Sequence, residues 1–461
     1  MTIVLTNTLT RAKEEFRPII EGKAGIYSCG PTVYGRASIG NFRAFIFADV
    51  LRRMLAANGI GVTQVMNITD VGHLVGDGDE GEDKLQMSAD TAGKTAWDIA
   101  AEYTQLFMDD LRRVNMLTPH VMPRATDHIG EQIAMIEAME LKGFTYATRD
   151  GIYFATAKLP DYGRLSGQKS EEKEEGARIG VNLEKRNPSD FALWKFSPEG
   201  AKRHMEWESP WGKGFPGWHI ECSAMSEKYL GVPFDIHTGG ADHVAVHHEN
   251  EIAQTMAARG VLEANYWLHN EFLLIDGGKM SKSLGNVYSL DDLAAKGISA
   301  LGYRYFVLGA HYRTQQNFTW DAATAAEHAL NKLVDVARTW EKPSAADEAT
   351  TAAFMEHVNN DLDTPGALAV LWTFVNDAGV QSDVKAATVL AMDEVLGLAL
   401  EDVVARPIRM TDEAQKLLDE RQAARAAKDW GKSDALRDQL AELGYLVEDT
   451  AEGQRVREKR Y

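Results

Sequence analysis

Apolar residues recur every four positions in a segment that carries helix start and stop signals. The repeating positions are Phe42, Ile46, Val50 and Met54, and Gly59 lies just beyond the last turn. Residues four apart lie on one face of an α-helix, and glycine commonly follows a helix end. The pattern predicts an amphipathic helix over residues 39–57.

Short apolar runs flank this helix. They are "GIYSCG" (25–30), followed by the breaker-rich turn "PTVYGRAS" (31–38), and "GVTQVMNITDVG" (61–72). The alternation of strand and helix returns in "FDIHTGGADHVAVHHENEIAQTMA" (234–257) and "NEFLLIDGGKMSKSLGN" (270–286). Such alternation favours an α/β fold whose parallel sheet binds ligands at the carboxyl ends of its strands.

The pattern changes twice further along the chain. It loosens from about Thr118 to Trp211, where glycines and the charged run "KSEEKEEGAR" (169–178) indicate an insertion with a mobile solvated loop. Helical patterns dominate beyond Ser289, which forms a possible capping box with Asp292. The segments "EKPSAADEATT" (341–351) and "VVARPIR" (403–409) read as a loop and a domain junction, and residues 411–461 as two helices and a tail.

Length and composition narrow the class of protein. A chain of 461 residues and 51.0 kDa predicts about three domains. No apolar run approaches the ~18 residues of a membrane span, and the N-terminus lacks a basic and then apolar signal, so we expect an unexported, cytoplasmic protein without membrane contact. The two cysteines, Cys29 and Cys222, suggest reduced thiols or metal ligands and no disulfide framework. A net charge of -19 gives no sign of nonspecific polyanion binding.

Two motifs carry nucleotide chemistry. In "KMSKSLGN" (279–286), Lys279 and Lys282 lie three residues apart on a flexible segment and can clamp a triphosphate, a plain basic surface loop being the alternative. In "SIGN" (38–41), Gly40 would let a nucleotide approach the backbone, and the following helix start offers N–H groups to phosphates. Together they resemble the paired motifs of class I aminoacyl-tRNA synthetases.

Within that class, the sequence resembles the cysteinyl-tRNA synthetases. The segments that carry the resemblance are "YSCGPTVY" (27–34), "NITDVGH" (67–73), "KRNPSDFALWK" (185–195), "PGWHIECSAM" (216–225), "FDIHTGGADHVAVHHENEIAQ" (234–254), "KMSKSLGN", "ARAAKDWGKSDALRDQL" (424–440) and "EDTAEG" (448–453). They span nearly the whole chain in the family's order.

The resemblance implies a domain organisation. It consists of a Rossmann-type parallel-sheet catalytic domain with an inserted connective domain, then a helical bundle, then a small C-terminal anticodon-binding domain. The expected boundaries are 1–117 and 226–288 for the two catalytic halves, 118–225 for the insertion, 289–402 for the helical stem and bundle, and 403–461 for the anticodon-binding domain.

The resemblance also implies one zinc ion per chain, held by Cys29, Cys222, His247 and Glu251. Within a predicted helix, His247 and Glu251 are four residues apart and therefore project from one face, and the chain has no thiols besides Cys29 and Cys222. His248, next to His247 in the sequence, is the alternative ligand. Taken singly, the cysteines could be buried thiols without a metal, and His247 and Glu251 could belong to a solvated polar helix face. Zinc would select the cysteine thiolate directly, which would make an editing domain unnecessary.

Further site residues follow from the resemblance. Thr32, Thr69 and Trp218 are expected to line the amino-acid pocket, although plain core packing is an alternative for Trp218. The expected catalytic residues are Ser38, Asn41, Lys279 and Lys282, and the expected ATP-binding residues are Gly40, Asp242, Lys279, Met280, Ser281, Lys282 and Ser283, with Mg²⁺ accompanying ATP. Ser38 stands where the family has a histidine, and it keeps a hydroxyl donor on a shorter side chain.

The C-terminal segment is expected to read the anticodon. Arg425, Trp430, Asp434 and Asp449 match the family's anticodon-reading positions. Arginine and aspartate can hydrogen-bond base edges and an indole can stack on an unpaired base, whereas surface salt bridges are the alternative for each residue alone. Residues 406–461 carry twelve basic and twelve acidic side chains, so this part is the easiest to bring near phosphates.

The implied function is that of a monomer that activates L-cysteine with ATP and transfers it to tRNA(Cys). Two alternatives stay open at this point. One is the related ligase that joins cysteine to an amino sugar and lacks an anticodon-reading tail. The other is a catalytically silent or impaired paralogue that serves as an RNA-binding module, for which only Ser38 argues.

Overall fold

A computed structural model describes the protein at residues 2–72, 83–167, 184–197, 203–450 and 453–458. The predicted charged loop "KSEEKEEGAR", His73 and the side chain of Lys282 fall outside this description. The strands are β1 (Val4–Asn7), β2 (Ala12–Glu15), β3 (Lys23–Ser28), β4 (Gly61–Met66), β5 (Thr145–Thr148), β6 (Gly151–Phe154), β7 (Phe191–Phe196), β8 (Gly214–Pro216), β9 (Phe234–Gly240), β10 (Ala264–Asn270), β11 (Leu273–Ile275), β12 (Gly278–Lys279), β13 (Gln316–Phe318), β14 (Tyr445–Thr450) and β15 (Gly453–Glu458).

The α-helices are numbered in the same way. They are α1 (Ile39–Ala57), α2 (Lys84–Ala92), α3 (Ala96–Arg113), α4 (Ile129–Leu141), α5 (Trp218–Leu230), α6 (Ala241–Val244), α7 (His247–Arg259), α8 (Leu290–Ala295), α9 (Ala300–Leu308), α10 (Trp320–Arg338), α11 (Glu348–Asn359), α12 (Thr364–Asn376), α13 (Ser382–Leu396), α14 (Asp412–Ala426) and α15 (Trp430–Glu442).

A four-stranded parallel sheet forms the centre of the first 270 residues. Its strand order is β10-β9-β3-β4, and each neighbouring pair runs parallel. The chain winds outward from β3 to β4 on one side and from β9 to β10 on the other. The crevice between β3 and β9 is therefore the switch point at which such sheets bind ligands. This arrangement confirms the predicted α/β fold.

The predicted helix over residues 39–57 is confirmed as α1. Its buried face includes Phe42, Ile46, Val50 and Met54, the four positions that repeat in the sequence. The helix covers one face of the parallel sheet as part of the larger hydrophobic cluster, whereas α5 and α7 cover the other face as part of a second cluster. Both faces of the sheet are thus buried, as parallel sheets require.

A separate antiparallel sheet lies within the predicted insertion. Its order is β5-β6-β7-β8, with every neighbouring pair antiparallel. Strand β7 coincides with the apolar part of "KRNPSDFALWK", and β8 leads through Pro216 into α5. The insertion therefore returns the chain to the parallel sheet just before α5.

Helices dominate beyond residue 289, as the sequence predicts. Ser289 and Asp292 form the predicted capping box at the start of α8. The helices α9 to α13 pack together and share the hydrophobic cluster of α1. The last segment is more ordered than predicted, because the expected tail pairs as the antiparallel hairpin of β14 and β15 beside α14 and α15. Among the described residues, no helix is long and apolar enough to cross a membrane.

Candidate active site and metal cluster

Backbone hydrogen bonds join the segment after β3 to the segment after β4 at the crevice. Thr32 and Thr69 are bridge partners: Val33 N donates to Thr69 O at 3.1 Å and Thr69 N donates to Pro31 O at 3.0 Å. The hydroxyl of Thr69 accepts from Asn67 Nδ2 at 2.8 Å. The structure therefore brings the two predicted pocket threonines together beside the end of β3.

Four predicted metal ligands meet in this crevice. Cys29 follows β3, Cys222 lies on α5, and His247 and Glu251 lie one turn apart on α7. One donor atom from each of the four lies within 4.8 Å of all the others. Cys222, His247 and Glu251 are buried, whereas Cys29 is partly exposed. Three separate elements thus converge on one point, as a metal site requires.

A second set of donors overlaps with the first. Cys29, His237, His248 and Glu251 also lie within 4.8 Å of one another. Cys29 Sγ is 3.2 Å from His248 Nε2, and His237 Nε2 is 2.8 Å from Glu251 Oε2. Zinc favours soft sulfur ligands, and only the first set contains both thiols. The preference of zinc for sulfur therefore favours the first set, with His237 and His248 as its neighbours.

Further histidines contact the donor side chains of the two sets. His219 Nδ1 lies 2.9 Å from His247 Nδ1, and His248 Nδ1 lies 2.8 Å from His269 Nε2. Such outer contacts commonly fix the ring orientation of ligating histidines. Gly239 is required beside them, because a Cβ there would lie 2.6 Å from His248 and 2.7 Å from His243.

The cluster contains anionic donors. Burial raises the pKa of Cys29, but the hydrogen bond from Cys222 and the nearby charges of His248 and His243 bring it well below its ordinary value. The hydrogen bond to Cys29 and burial hold the pKa of Cys222 well above its usual value. Burial raises the pKa of Glu251, but His237 and His247 lower it to about 2. Thiolate and carboxylate are both ligands for zinc.

Trp218, a predicted pocket residue, lies beside the candidate metal cluster. It is the first residue of α5 and is half-buried. Its ring centroid lies 4.3 Å from that of His247, with an interplanar angle of 30°. A substrate that reached the cluster would therefore pass beside an indole wall.

Ser38 caps the helix that follows the glycine turn. Its hydroxyl donates to Asn41 Oδ1 at 2.8 Å and accepts from Asn41 N at 3.3 Å, while Ser38 N donates to the same Oδ1 at 2.9 Å. This is a reciprocal capping box. The amide oxygen of Asn41 is therefore turned toward Ser38, and its Nδ2 is the end that remains to donate.

The "KMSKS" loop lies against this turn. Ile39 N donates to Tyr288 O at 2.8 Å, which ties the base of the loop to the start of α1. A Cβ on Gly40 would lie 3.3 Å from Met280 Cε, so Met280 covers the glycine. Asn286 braces the loop by accepting from Ser281 N at 2.8 Å and donating to Lys279 O at 3.1 Å. The hydroxyls of Ser281 and Ser283 are 3.2 Å apart.

Two further predicted ATP residues lie at the same edge. Lys279 is exposed on β12 at the start of the loop. Asp242 lies on α6, directly after β9, and its Oδ1 is 2.2 Å from the position that a Cβ on Gly240 would take. Asp242 therefore lies at the carboxyl end of β9, and Lys279 directly precedes Met280, the residue beside Gly40. For Lys282, the backbone lies in a short 3₁₀ turn of residues 282–284.

The predicted anticodon residues form a second, separate group on the C-terminal domain. Arg425 Nη1 lies 2.7 Å from Asp449 Oδ2, and its guanidinium lies 5.5 Å from the ring centroid of Trp430. Trp430 is 56% exposed, a large fraction for an indole. Asp434 follows one turn later on α15 and pairs with Arg437 at 3.2 Å. The structure thus brings Arg425, Trp430 and Asp449 together, with Asp434 on the same helix face as Trp430.

Sequence reasoning missed Arg421. Its side chain is 1% exposed, and its two terminal nitrogens each lie 3.0 Å from an oxygen of Asp449. It therefore fixes the carboxylate that in turn holds Arg425. The sequence signal that could have indicated it is an arginine one turn before Arg425 on the same predicted helix.

Comparison with known families defines the class of this fold and site. Residues 15–328 match the family described as tRNA synthetases class I (C) catalytic domain. The fold agrees with a solved Mycobacterium tuberculosis methionyl-tRNA synthetase, with a TM-score of 0.57 and 17% identity over 83% of this chain and 91% of that one. The protein is a class I aminoacyl-tRNA synthetase.

The C-terminal segment and the relatives narrow the class to one family. Residues 409–457 match the cysteinyl-tRNA ligase anticodon binding domain. A cysteine--tRNA ligase 1 of Burkholderia lata is 49% identical over 99% of this chain and 97% of its own length. A cysteine--tRNA ligase of Treponema denticola is 42% identical over 98% of each chain. The chain belongs to the cysteine--tRNA ligase family, and its C-terminal match leaves the amino-sugar ligase without support.

Proposed function

We propose that the protein activates L-cysteine with ATP and transfers the cysteinyl group to tRNA(Cys). The observation that carries this proposal is the cluster of two thiols, an imidazole and a carboxylate within 4.8 Å at the switch point of a class I synthetase sheet. The four donors fit a zinc ion, because zinc takes cysteine, histidine and carboxylate ligands in a tetrahedral arrangement.

A metal in this place would distinguish cysteine from serine. A thiol with a pKa near 8.5 needs about 1.5 units, or about 2 kcal/mol, to ionise at pH 7. An alcohol, with bulk water at about 15.7 as its proxy, needs nearly 9 units, or about 12 kcal/mol. When bound, zinc supplies a soft Lewis acid for the substrate thiolate. Trp218 and the two threonines would hold the rest of the amino acid beside it.

The glycine turn and the loop would bind ATP, which carries Mg²⁺ as the substrate complex. In the first turn of α1, Ile39 N is taken by Tyr288 O and Asn41 N by Ser38 Oγ. Among the described residues, nothing accepts from Gly40 N. That N–H and Asn41 Nδ2 are therefore the donors offered to phosphate, and the dipole of α1 adds positive potential there.

Adenylation requires orientation and charge stabilisation. The cysteine carboxylate attacks the α-phosphorus of ATP, a bond forms to its oxygen, and pyrophosphate leaves with the bonding electron pair. Lys279 and Lys282 would stabilise the charge on the leaving group. Asp242 would border the adenosine. A ribose hydroxyl at the end of the tRNA then takes the cysteinyl group and AMP leaves.

The C-terminal domain would read the anticodon of the same tRNA. Trp430 offers an exposed indole on which a base can stack. Arg425 and Asp449 offer hydrogen bonds to base edges, and Asp434 offers an acceptor one turn along α15. We further propose the domain boundaries that the sequence predicts, a monomeric state and a cytoplasmic location.

Metal content tests the ligand set. Cys222→Ser removes a donor of the first set only, and the matched variant His248→Gln removes a donor of the second set only. We expect one zinc per chain in the unaltered protein and in His248→Gln, and loss of most zinc in Cys222→Ser, by elemental analysis of protein purified without chelator. Loss in His248→Gln with retention in Cys222→Ser would contradict the assignment, and no zinc in the unaltered protein would exclude the site.

A further inference from the structure

The C-terminal domain, formed by α14, α15, β14 and β15, has its own small hydrophobic core. Ala414, Leu440 and Val447 are its buried members. Within the described residues, this cluster shares no member with the cluster that runs from α1 through the helical domain. The buried apolar residues of the described C-terminal domain therefore form a core of their own, and the contacts described between this domain and α10 are polar.

Asp335 on α10 makes the central polar contact. Arg457 of β15 approaches it with Nε at 3.1 Å and Nη2 at 2.8 Å from Asp335 Oδ2. Arg455 Nη1 lies 3.7 Å from the same oxygen. The side chains of Asp335 and Arg457 are only 24% and 16% exposed. Partial burial and the two-nitrogen geometry make this pair stronger than an exposed ion pair. We call these three residues the Asp335 clamp.

A second contact lies one turn further along α10. Arg338 Nη1 donates to Arg406 O at 2.9 Å, and Arg338 also pairs with Glu458. Arg406 belongs to the segment that enters the C-terminal domain, and Glu458 ends its last strand. One face of α10 therefore holds both ends of that domain.

The same helix is tied to the catalytic turn by buried hydrogen bonds. Glu327 of α10 accepts from Ser299 N at 3.0 Å and from Ser299 Oγ at 2.7 Å at the start of α9. Tyr303 of α9 then donates to Ile39 O at 2.5 Å, next to Ser38. A continuous set of fixed contacts thus runs from β15 through α10 and α9 to the start of α1.

We propose that Asp335 is a positioning residue for tRNA, which holds the C-terminal domain at a fixed distance from the catalytic crevice. The inference rests on the proposed function. A tRNA that contacts both places gains affinity when the second contact is presented at the right distance and orientation. A loosely held domain would have to be ordered when tRNA binds, and that ordering weakens binding.

The test uses Asp335→Asn in the full-length protein, with Asp335→Glu as the conservative variant. Two substrates are compared in aminoacylation: tRNA(Cys), and the same tRNA with one anticodon base changed. In Asp335→Asn, we expect the KM for the matching tRNA to rise about tenfold, and the KM for the altered tRNA to change less than about twofold. Asp335→Glu keeps the charge and should restore most of the affinity.

The matched control is Asp321→Asn, at the exposed start of α10 and away from the clamp. It and Asp335→Asn should both leave cysteine-dependent exchange of pyrophosphate into ATP unchanged. The inference is overturned if Asp335→Asn raises the KM for both tRNAs equally, raises neither KM, or lowers pyrophosphate exchange. Absence of pyrophosphate exchange in the unaltered protein would instead refute the proposed function. Failure of the positioning role and failure of the proposed function therefore give different results.

Discussion

At the scale of single residues, Ser38 and Asn41 show how one side chain can act through another. The hydroxyl and N–H of Ser38 both bind Asn41, so the serine fixes the amide and leaves Asn41 Nδ2 as the outward donor. Ser38, which stands where the family resemblance implies a histidine, is here a helix cap. Capping therefore contributes to stability and also orients the amide that we propose as a phosphate donor.

Replacing Ser38 with alanine separates these two contributions. We expect Ser38→Ala to lower the free energy of unfolding by about 1 kcal/mol, as loss of a cap does. Because Asn41 loses its brace, pyrophosphate exchange should fall about tenfold. Thr95→Ala is the matched control, since it removes a capping box with Asp98 at the start of α3. Thr95→Ala should lower the free energy of unfolding by a similar amount and leave pyrophosphate exchange unchanged. Equal exchange in Ser38→Ala and Thr95→Ala would contradict the role of Ser38.

Asp70 makes the stability of the folded protein depend on pH. Burial raises the pKa of its carboxyl to about 6, although Thr126 N and Oγ1 donate to it at 2.9 and 2.7 Å. The folded protein therefore binds this proton more tightly than the unfolded chain, in which an aspartate has a pKa of about 3.9. Stability falls as pH rises from about 4 to about 6, by at most about 3 kcal/mol.

Asp70→Asn removes that titration. The thermal midpoint of Asp70→Asn should exceed that of the unaltered protein at pH 7.5, and the difference should shrink or reverse at pH 4.5. Melting curves followed by circular dichroism at the two pH values measure it. A difference that is the same at both pH values would show that the carboxyl does not titrate in this range.

At the scale of elements, the "KMSKS" loop and the start of α1 behave as one unit. The bond from Ile39 N to Tyr288 O and the contact of Met280 with Gly40 join them. We propose that close approach at Gly40 serves the nucleotide as well as the loop, because only a residue without Cβ leaves that backbone accessible.

Gly40→Ala tests this close approach. The new methyl group would lie 3.3 Å from Met280 Cε, and Met280 can move aside because its side chain is flexible. Stability should change little, whereas the KM for ATP should rise about tenfold as the phosphates are displaced. Gly35→Ala is the matched control, since a Cβ there has nothing within 4 Å. A rise in the ATP KM that is equal in both variants would contradict the assignment.

The elements also differ in how far the sequence predicts them. The helix α1 and the capping box of α8 follow from local periodicity and local hydrogen bonds, and the sequence predicted both. The meeting of Cys29 and Cys222 needed a family resemblance, because they lie on different elements. His237 and Arg421 escaped notice, since their importance arises from strand register and burial, which local patterns do not contain.

At the scale of the whole molecule, the C-terminal domain differs from the rest of the chain in its charge and has a separate hydrophobic core. The net charge is -19, yet residues 406–461 are neutral, so the excess of acid lies outside the C-terminal domain. That domain is held to α10 by the Asp335 clamp and has a core of its own. This arrangement suits a chain that presents one surface to an anticodon and a distant crevice to the end of the same tRNA.

The central claim is that the crevice activates cysteine and selects it by its thiol. The most direct measurement is exchange of pyrophosphate into ATP by the zinc-loaded protein, with L-cysteine and L-serine compared at equal concentration. We predict exchange with cysteine and at least about a thousandfold less with serine, because the alcohol does not ionise under these conditions. Absence of cysteine-dependent exchange while zinc is bound, or equal exchange with serine, would contradict the account.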